Sequence, residues 1–495
     1  MYERASRKML GVLVCLLILF FVMLFRSKKS YPPGPFRLPI LGGTWRFWFN
    51  MSRDNLLQME KEYGNVFTMW VGPIPMIMLS GFQSVKEGLV NHSEAFADRL
   101  VTPLVKALTK EKGIMFSNGH TWKEQRKFGI VTMRKLGLGK KGVEHQIQEE
   151  AQQLIETFAR AKREPLDPSL HIRKAVSNVI CALAFGYRFS VDDEEFLKLT
   201  KAFHVILTYI TSPWHGFYEM APRLFNYLPG PHQKVFSSRA VVDSFIRKEI
   251  QKHKAQGSLH DPQDYIDFYL LQMRKAKSDP NSTYDEENLA QSIFDLFIAG
   301  SDTTFSTLQW ALLLMANHPD VQEKVYKEME DVLGSSPLCT HQDVKKLPYT
   351  NAVIHEILRS QYILIIGIPR QSVKDENILG FPIPKGTIVV PDIASVLLDP
   401  KQWATPQEFN PNHFLDKGGN FVTREAFLPF GAGARICLGK QLAEIELFIF
   451  FTSLLRSFTF QPPEGVKEIN TEPSIGLTVH PHPYKVCAVP RSNAY

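Results

Sequence analysis

Residues 430–439 read Phe-Gly-Ala-Gly-Ala-Arg-Ile-Cys-Leu-Gly and fit the pattern F-x-x-G-x-R-x-C-x-G, whose five fixed positions are Cys437 and four residues around it. Small residues permit a tight loop that aims backbone N–H groups at the sulfur, which makes the ionised thiol less costly. A cysteine thiolate on a haem iron favours cleavage of the O–O bond. The pattern therefore predicts a haem b site with Cys437 as the iron ligand, Phe430 beside it and Arg435 on a haem propionate. Taken alone, Cys437 would be read as a buried free cysteine.

The composition describes a large chain without a strongly charged surface. Its 495 residues are 44% hydrophobic, which is enough for a sizeable core. A formal net charge of +7 is small for this length, so it argues against a nucleic-acid partner and favours an acidic protein or a membrane surface. Five scattered cysteines without CxxC spacing indicate a reducing compartment and no structural zinc.

The N-terminus predicts a membrane anchor. Residues 9–25 form an uninterrupted apolar run, followed by Arg26, Lys28 and Lys29 without a small-residue cleavage site. A retained anchor is therefore favoured over a cleaved signal peptide, while basic residues on both sides leave the orientation open on charge alone. We assign residues 1–30 to the anchor and its flanks, 31–43 to a proline-rich hinge, and 44–495, which lack linker-like composition, to one catalytic domain in the cytosol.

Hydrophobic periodicity predicts a mainly α fold with small β-sheets, of the α+β class. Short strands are expected at 66–70, 76–79, 388–390, 478–480 and 485–489, and the longest helix at 286–317. One side of that helix carries Phe294, Phe297, Ile298 and Asp302 at i, i+3, i+4 spacing, which is an apolar face with one acid.

That acid belongs to the segment Ala299-Gly300-Ser301-Asp302-Thr303-Thr304. Small residues leave room for a small molecule beside the backbone, and an interior glycine costs about 1 kcal/mol of helix propensity that needs a reason. Asp302 and Thr303 are therefore candidate catalytic residues that relay protons to bound oxygen. The alternative is that both side chains bond only to backbone carbonyls or solvent.

A second pair, Glu356 and Arg359, lies at i, i+3 on a predicted helix, close enough to form an ion pair. Such pairs contribute about 0–1 kcal/mol when exposed. A buried pair that also bonds to the proline-pinned stretch 406–414 would instead fix the loop that carries Cys437. We therefore predict a structural role for both residues.

In this order and spacing, the motifs resemble those of the cytochrome P-450 superfamily over nearly the whole chain. Further segments are similar to its microsomal family 2: PPGP at 32–35, FADR at 96–99, WKEQR at 122–126 and FNPNHF at 409–414. Stretches such as LPGPHQ and PYTNAVIHE favour the J subfamily, with a U-type relative second. The resemblance implies the P-450 fold with an N-terminal transmembrane helix, a location at the endoplasmic reticulum membrane, and monooxygenase activity.

The resemblance also implies roles for individual residues. The haem propionates are expected to meet Arg99, Trp122, Arg126, Arg370 and Arg435. Substrate is expected to contact Leu104, Leu108, Met115, Phe294, Phe297, Ile298, Ala299, Ile366, Ile475 and Leu477. These positions are almost all apolar, so a lipophilic substrate is predicted, although core packing would explain each one equally well. Ile365 stands where relatives usually carry a proline.

Electrons must come from a partner, because the chain shows no G-x-G-x-x-G nucleotide-binding motif after a strand. We expect an NADPH cytochrome P-450 reductase, with cytochrome b5 as a second partner, to dock on a basic face at Lys123, Arg126, Lys127, Arg134, Lys135, Lys140, Lys141 and Lys440. By resemblance, polyunsaturated fatty acids such as arachidonate come first as substrates, and xenobiotics or steroids second. A hydroperoxide isomerase and a non-catalytic haem sensor are the other readings.

Overall fold

The computed structural model describes residues 11, 14–15, 18, 31–38, 42–43, 52–136, 141–190, 193–257, 261–334 and 339–491. The predicted anchor lies almost wholly outside these residues. None of the helices formed by the residues described combines the length and apolarity needed to cross a bilayer.

Helices dominate the described chain. In chain order they are α1 Arg53–Tyr63, α2 Phe82–Lys86, α3 Pro103–Thr109, α4 Gly119–Lys135, α5 Lys141–Arg160, α6 Ser169–Phe185, α7 Glu194–Ile210, α8 Pro213–Met220, α9 Pro222–Phe225, α10 Pro231–Gln256, α11 Tyr265–Lys275, α12 Glu286–Asn317, α13 Pro319–Leu333, α14 Pro348–Ser360, α15 Ile393–Leu397 and α16 Lys440–Ser457.

The strands are short, as the sequence predicts. They are β1 Val66–Val71, β2 Ile74–Leu79, β3 Asp98–Arg99, β4 Arg370–Gln371, β5 Glu376–Ile378, β6 Phe381–Ile383, β7 Ile388–Pro391, β8 Phe458–Gln461, β9 Pro473–Ile475, β10 Val479–Pro481 and β11 Cys487–Pro490. The prediction of a mainly α fold with small sheets is confirmed.

The chain divides into two compact units. Unit 1 comprises Met1–Leu100, Ile365–Gln402 and Gly431–Arg435, and unit 2 comprises Val101–Leu364, Trp403–Phe430 and Ile436–Tyr495. Each unit is thus assembled from three separate stretches of sequence.

Unit 1 contains a five-stranded sheet in the order β1-β2-β7-β4-β3. β1 and β2 form a hairpin in which Val66 lies opposite Leu79, and β2 runs parallel to β7. One face of the sheet packs on α1 through Leu56, Met59, Phe67 and Met78. At the far edge, β3 pairs with β4 so that Arg99 lies directly opposite Arg370.

Unit 2 is mainly helical, and α12 is its central element, in contact with α6, α10 and α16. The helix begins where the Asp285 side chain accepts a hydrogen bond from Asn288 N at 2.6 Å, and it ends at Asn317, two residues before Pro319. Most of its residues are buried. The predicted bounds of this helix, 286–317, agree with the structure.

Candidate active site

The Cys437 segment in unit 2 is shaped by backbone hydrogen bonds. Cys437 N donates to Phe430 O at 3.0 Å, which closes the turn. Burial raises the pKa of the Cys437 thiol, while the backbone N–H groups of Gly439 and Lys440 and the charge of Arg126 lower it. Cys437 is nevertheless exposed, whereas Cys181, Cys339 and Cys487 are buried. An accessible sulfur that accepts from two backbone N–H groups is suited to bind a metal as a thiolate.

Helix α4 packs against this segment. Arg126 Nη2 donates to Ile436 O at 2.6 Å, and a Cβ on Gly129 would lie 3.0 Å from Leu438 Cδ1. Burial lowers the pKa of Arg126, and the nearby Cys437 opposes that shift. Trp122, also buried, stands one turn before Arg126 on the same side of the helix. The structure thus brings Trp122, Arg126 and Cys437 into one region.

Three buried arginines, Arg99, Arg370 and Arg435, gather in unit 1. Arg99 Nη1 donates to Ile368 O at 2.7 Å, Arg370 Nη1 donates to Phe96 O at 3.4 Å, and Arg435 Nε donates to Ala97 O at 2.6 Å. Residues that face each other across antiparallel strands point their side chains to the same face, so Arg99 and Arg370 both leave the sheet on one face. Like charges in that arrangement favour an anionic group on the same face.

Gly433 explains why the 431–435 segment needs glycine. Its φ is +70°, and a Cβ there would lie 1.7 Å from Leu89 O. The next residue, Ala434, donates its N–H to Ser93 Oγ at 2.6 Å. Only glycine permits this close approach, which holds Arg435 beside Ala97.

Asp302 is buried in a polar network of unit 2. Its carboxylate pairs with Arg173 Nη1 at 3.0 Å and accepts from Thr478 Oγ1 at 2.6 Å, with His480 Nε2 at 3.5 Å. Burial alone would raise the pKa of Asp302, but His480, Thr478 and Arg173 outweigh it and hold the pKa well below its usual range. Asp302 is therefore an ionised acceptor in this arrangement.

The neighbouring positions on α12 differ sharply in exposure. Ala299 is exposed and Thr303 half-buried on a helix that is otherwise largely buried, and Thr303 Oγ1 donates to Ala299 O at 2.8 Å. A Cβ at Gly300 would lie 2.6 Å from Ile180 Cδ1, so a glycine here also makes room for a side chain of α6. Its small size permits close packing of α12 on α6, while the preceding residue, Ala299, is exposed.

Thr304 connects α12 to α16. Its Oγ1 donates to Glu446 Oε2 at 3.1 Å, while Glu446 Oε1 has no hydrogen-bond partner among the described residues. Complete burial raises the pKa of Glu446 to about 8, although the bond from Thr304 opposes that shift. Glu446 is accordingly a neutral acid at pH 7.

Glu356 and Arg359, both fully buried, form a two-bond ion pair on α14. Arg359 Nε and Nη2 donate to Glu356 Oε2 and Oε1, both at 2.7 Å. Arg359 also donates to Pro406 O at 2.9 Å and Glu408 O at 2.8 Å, and Glu356 accepts from Asn410 N at 2.8 Å. His413 Nδ1 lies 3.2 Å from Glu356. We call these residues, Glu356, Arg359, Pro406, Glu408, Asn410 and His413, the α14 brace. It fixes the 406–413 stretch.

The predicted substrate residues fall into several groups. Phe294 and Phe297 are buried against Phe203, with ring centroids 5.3 and 5.5 Å away. Ile298 and Met115 are half-buried, and Ile475 and Leu477 are exposed, at 50% and 43%.

Leu104 and Leu108 are buried on α3 in unit 2, and Ile366 belongs to unit 1, where it packs on the sheet core. The first turn of α3 is held by Glu219 of α8, whose Oε1 accepts from Thr102 Oγ1 at 2.6 Å and from Leu104 N at 3.2 Å.

Several residues of the site were not assigned a role from the sequence. Arg173, Thr478 and His480 meet Asp302 from positions more than 100 residues away, and no local pattern indicates those contacts. His413 lies within the FNPNHF segment, and this segment is the sequence signal for its contact with Glu356.

Comparison with known proteins identifies related sequences. The cytochrome P450 family model matches residues 32–488. Cytochrome P450 2J2 of Homo sapiens is 42% identical over 466 residues, covering 94% of this chain and 92% of that protein. Cytochrome P450 2J5 of Mus musculus is 40% identical over 97% of this chain and 96% of its own length, and cytochrome P450 2C8 of Homo sapiens is 37% identical over 97% and 99%.

Proposed function

Because this chain belongs to the cytochrome P450 family and is therefore a haem-thiolate monooxygenase acting on lipophilic substrates, we propose that it hydroxylates or epoxidises polyunsaturated fatty acids. The family uses O2 and electrons from a partner reductase. The observation that carries the proposal is the accessible Cys437 thiol, with two backbone N–H groups and Arg126 around it.

Cys437 is the proposed iron ligand, and the residues around it fit a haem. Bound haem supplies oxygen activation, for which a thiolate ligand is suited. Gly439 and Lys440 donate to the sulfur and Arg126 adds positive charge, so all three favour the thiolate that the iron requires. Phe430 accepts the Cys437 N–H through its carbonyl and so keeps the sulfur in place.

The arginines are the proposed partners of the haem propionates. Arg99, Arg370 and Arg435 form a buried cationic group in unit 1, and Trp122 and Arg126 lie beside the Cys437 segment in unit 2. The three unit 1 guanidiniums are oriented by the hydrogen bonds that they donate to the carbonyl oxygens of Phe96, Ala97 and Ile368. Guanidinium groups bind carboxylates through paired, charge-assisted hydrogen bonds, so the three unit 1 arginines suit an anionic group such as a haem propionate.

Asp302 and Thr303 are the proposed residues that manage protons. Thr303 Oγ1 donates to Ala299 O and the residue is half-exposed, so the hydroxyl can exchange that bond for one to water. Asp302 is ionised and fixed by Arg173 and Thr478, so it can order water as an acceptor. Glu356 and Arg359 keep their proposed structural role in the α14 brace.

The proposed docking face for the reductase lies on α4. Lys123, Lys127, Arg134 and Lys135 are exposed there, on the helix whose inner side carries Trp122 and Arg126. A basic face of this kind attracts an acidic partner surface and raises the association rate at low salt. Of the other predicted members, Lys140 lies outside the described residues. Cytochrome b5 is a second proposed partner for the same face.

We further propose attachment to the endoplasmic reticulum membrane with the catalytic domain in the cytosol. The run from α8 to the turn after α9 exposes Trp214, Phe217, Met220, Leu224, Tyr227 and Leu228, with Tyr227 89% and Met220 69% exposed. Exposed apolar and aromatic side chains of this kind suit the headgroup region of a bilayer. The apolar N-terminal run supports a retained anchor in the same membrane.

Reconstitution with a reductase, NADPH and a panel of lipids tests the proposed activity. We expect NADPH-dependent hydroxylated and epoxidised fatty acids, at a rate that falls with salt because docking is electrostatic. Rearrangement of hydroperoxides without NADPH would overturn the monooxygenase assignment in favour of an isomerase. A substrate-induced spectral change without product would favour a sensor.

Replacing Cys437 tests the assignment of the iron ligand. We expect the Cys437→His protein to lose the reduced carbon-monoxide spectrum of a thiolate-bound haem together with NADPH-dependent oxidation. The matched control is Cys487→Ser, which changes a buried cysteine and should keep both properties. Retention of the spectrum by the Cys437 variant would refute the assignment.

A further inference from the structure

Arg239 lies on α10 with its guanidinium against a predicted substrate residue. Its Cζ is 3.9 Å from the centre of the Phe294 ring, and the side chain is only 12% exposed. Arg239 Nη2 donates to Gln291 Oε1 at 2.8 Å and pairs with Asp243 Oδ1 at 2.8 Å. These two contacts fix one nitrogen of the group.

The other two guanidinium nitrogens find no acceptor among the described residues. Nε and Nη1 of Arg239 are buried and have no hydrogen-bond partner in the part of the chain that the structure describes. A guanidinium carries five N–H donors, and a buried donor left unpaired is costly. An acceptor supplied by a ligand would remove that cost.

The surroundings specify what kind of ligand this is. Phe294 packs on Phe203, and Phe203 stacks on Phe297 with centroids 5.5 Å apart and ring planes 7° from parallel. The cation therefore stands at one end of an aromatic wall that includes two predicted substrate residues. A molecule that matches both features has an anionic head and an apolar body, as a fatty acid does.

The spacing along α12 is consistent with such a ligand. Thr303 lies two and a half turns beyond Phe294, about 14 Å at 1.5 Å per residue. A carboxylate held at Arg239 would thus place the middle or far part of a long acyl chain, rather than the carbons next to the carboxylate, near Thr303.

We propose that Arg239 is a specificity-determining residue that binds the carboxylate of a fatty-acid substrate through Nε or Nη1. The assignment rests on the proposed function and deepens it by naming the anionic head as a recognised group. Asp243, which is one-third exposed, competes for the same guanidinium. Asp295 also lies nearby, but its carboxylate is committed to Ile114 N at 2.7 Å, Met115 N at 2.9 Å and Gln291 Nε2 at 2.8 Å.

The test titrates haem-loaded protein with arachidonate and with its methyl ester, and follows the haem absorption change. For Arg239→Gln we expect the Kd of the acid to rise about ten- to a hundredfold, and that of the ester to change less than about threefold, because only the acid carries the charge. Arg239→Lys should restore part of the loss. The control is Arg247→Gln on the same helix, where Arg247 already pairs with Glu287, and both Kd values should stay unchanged.

A second variant works in the opposite direction and leaves the arginine in place. Asp243→Asn removes the competing carboxylate, so we expect acid binding to tighten about three- to tenfold with ester binding unchanged. Equal effects of either variant on acid and ester, or none on the acid, would overturn the proposal.

Product position provides a readout that a merely structural arginine would not move. Arg239→Gln removes the group that holds the substrate carboxylate, so oxidation should spread over more positions of the acyl chain. An unchanged product distribution would contradict the inference. If neither acid nor ester is oxidised by the wild-type enzyme with reductase and NADPH, the proposed function fails. If both are oxidised and the Arg239 variants behave like wild type, only this inference fails.

Discussion

Two buried guanidiniums of unit 2, in the α14 brace and at Arg239, are used in opposite ways. Arg359 donates from three nitrogens to both carboxylate oxygens of Glu356 and to the carbonyls of Pro406 and Glu408. Arg239 donates from one nitrogen to Gln291 and Asp243, and its other two nitrogens find no acceptor among the described residues. A guanidinium bonded by the protein on all sides holds the fold, whereas one with buried donors to spare has bonding capacity for a ligand.

Removing charge from the α14 brace is expected to have the largest effect and tests whether its buried ion pair holds the fold. Glu356→Gln should lower the free energy of unfolding by about 3–5 kcal/mol, because it leaves the fully buried Arg359 without its counter-ion. Haem content should fall with it, since the 406–413 stretch precedes the Cys437 segment. Thermal unfolding and the absorption spectrum measure both effects.

The control for this variant is Glu286→Gln, which removes an ion pair to Lys254 whose two side chains are 28% and 37% exposed. It should cost no more than about 1 kcal/mol, because solvent screens the pair. A brace variant as stable as this control would show that the buried pair contributes little.

Glu446 extends the comparison to a buried acid. One of its oxygens accepts a hydrogen bond from Thr304, and the other has no partner in the described chain. Burial raises the pKa of Glu446 to about 8, above its value in the unfolded chain, so the folded state binds the extra proton between about pH 5 and pH 8. Its contribution to stability is complete below the unfolded pKa of 4.5, falls as pH rises above that value, and is lost once pH passes about 8. Glu446→Gln should reduce the stability difference between pH 5 and pH 8 by on the order of 2–4 kcal/mol.

Chemical unfolding at several pH values measures this slope. Burial also raises the pKa of Asp295 to about 6 and that of Asp392 to about 7, so part of the slope should remain in the variant. The exposed Glu464→Gln serves as the control and should reproduce the wild-type profile. A variant with the wild-type slope would mean that Glu446 does not keep its proton in the folded state.

The smallest expected effect is that of Arg239 on stability. Arg239→Leu should change the free energy of unfolding by less than about 1 kcal/mol without substrate, because removing two buried nitrogens that lack an acceptor among the described residues offsets the lost bonds to Gln291 and Asp243. Unfolding of the substrate-free protein measures it. A loss as large as that of Glu356→Gln would place Arg239 among the residues that hold the fold.

Much of the fold was predictable because it depends on local pattern. The α12 bounds follow from apolar periodicity between an Asp285 cap and Pro319, and the longer strands follow from short β-branched runs. The two-residue strands β3 and β4 have no such run, since their pairing depends on the surrounding chain. The division into two units was not foreseen either, because no change of composition marks where the chain passes between them.

The site shows the same limit. The Cys437 pattern and the Glu356–Arg359 spacing are visible in the sequence because both are contained within ten residues. Arg239 and Arg173 are ordinary helical arginines until folding places them beside Phe294 and Asp302. The packing role of Gly300 was not predicted, because a sequence does not reveal that Ile180 lies next to it.

The order of strands in unit 1 has a consequence for synthesis on the ribosome. β2 cannot pair with β7, nor β3 with β4, until about 270 or more intervening residues have been translated. At about 5–20 residues per second, roughly 15 s to a minute passes before each nascent edge strand can meet its partner. Chaperones that shield unpaired edges during this interval are therefore expected to govern how much of the newly made enzyme reaches its native state.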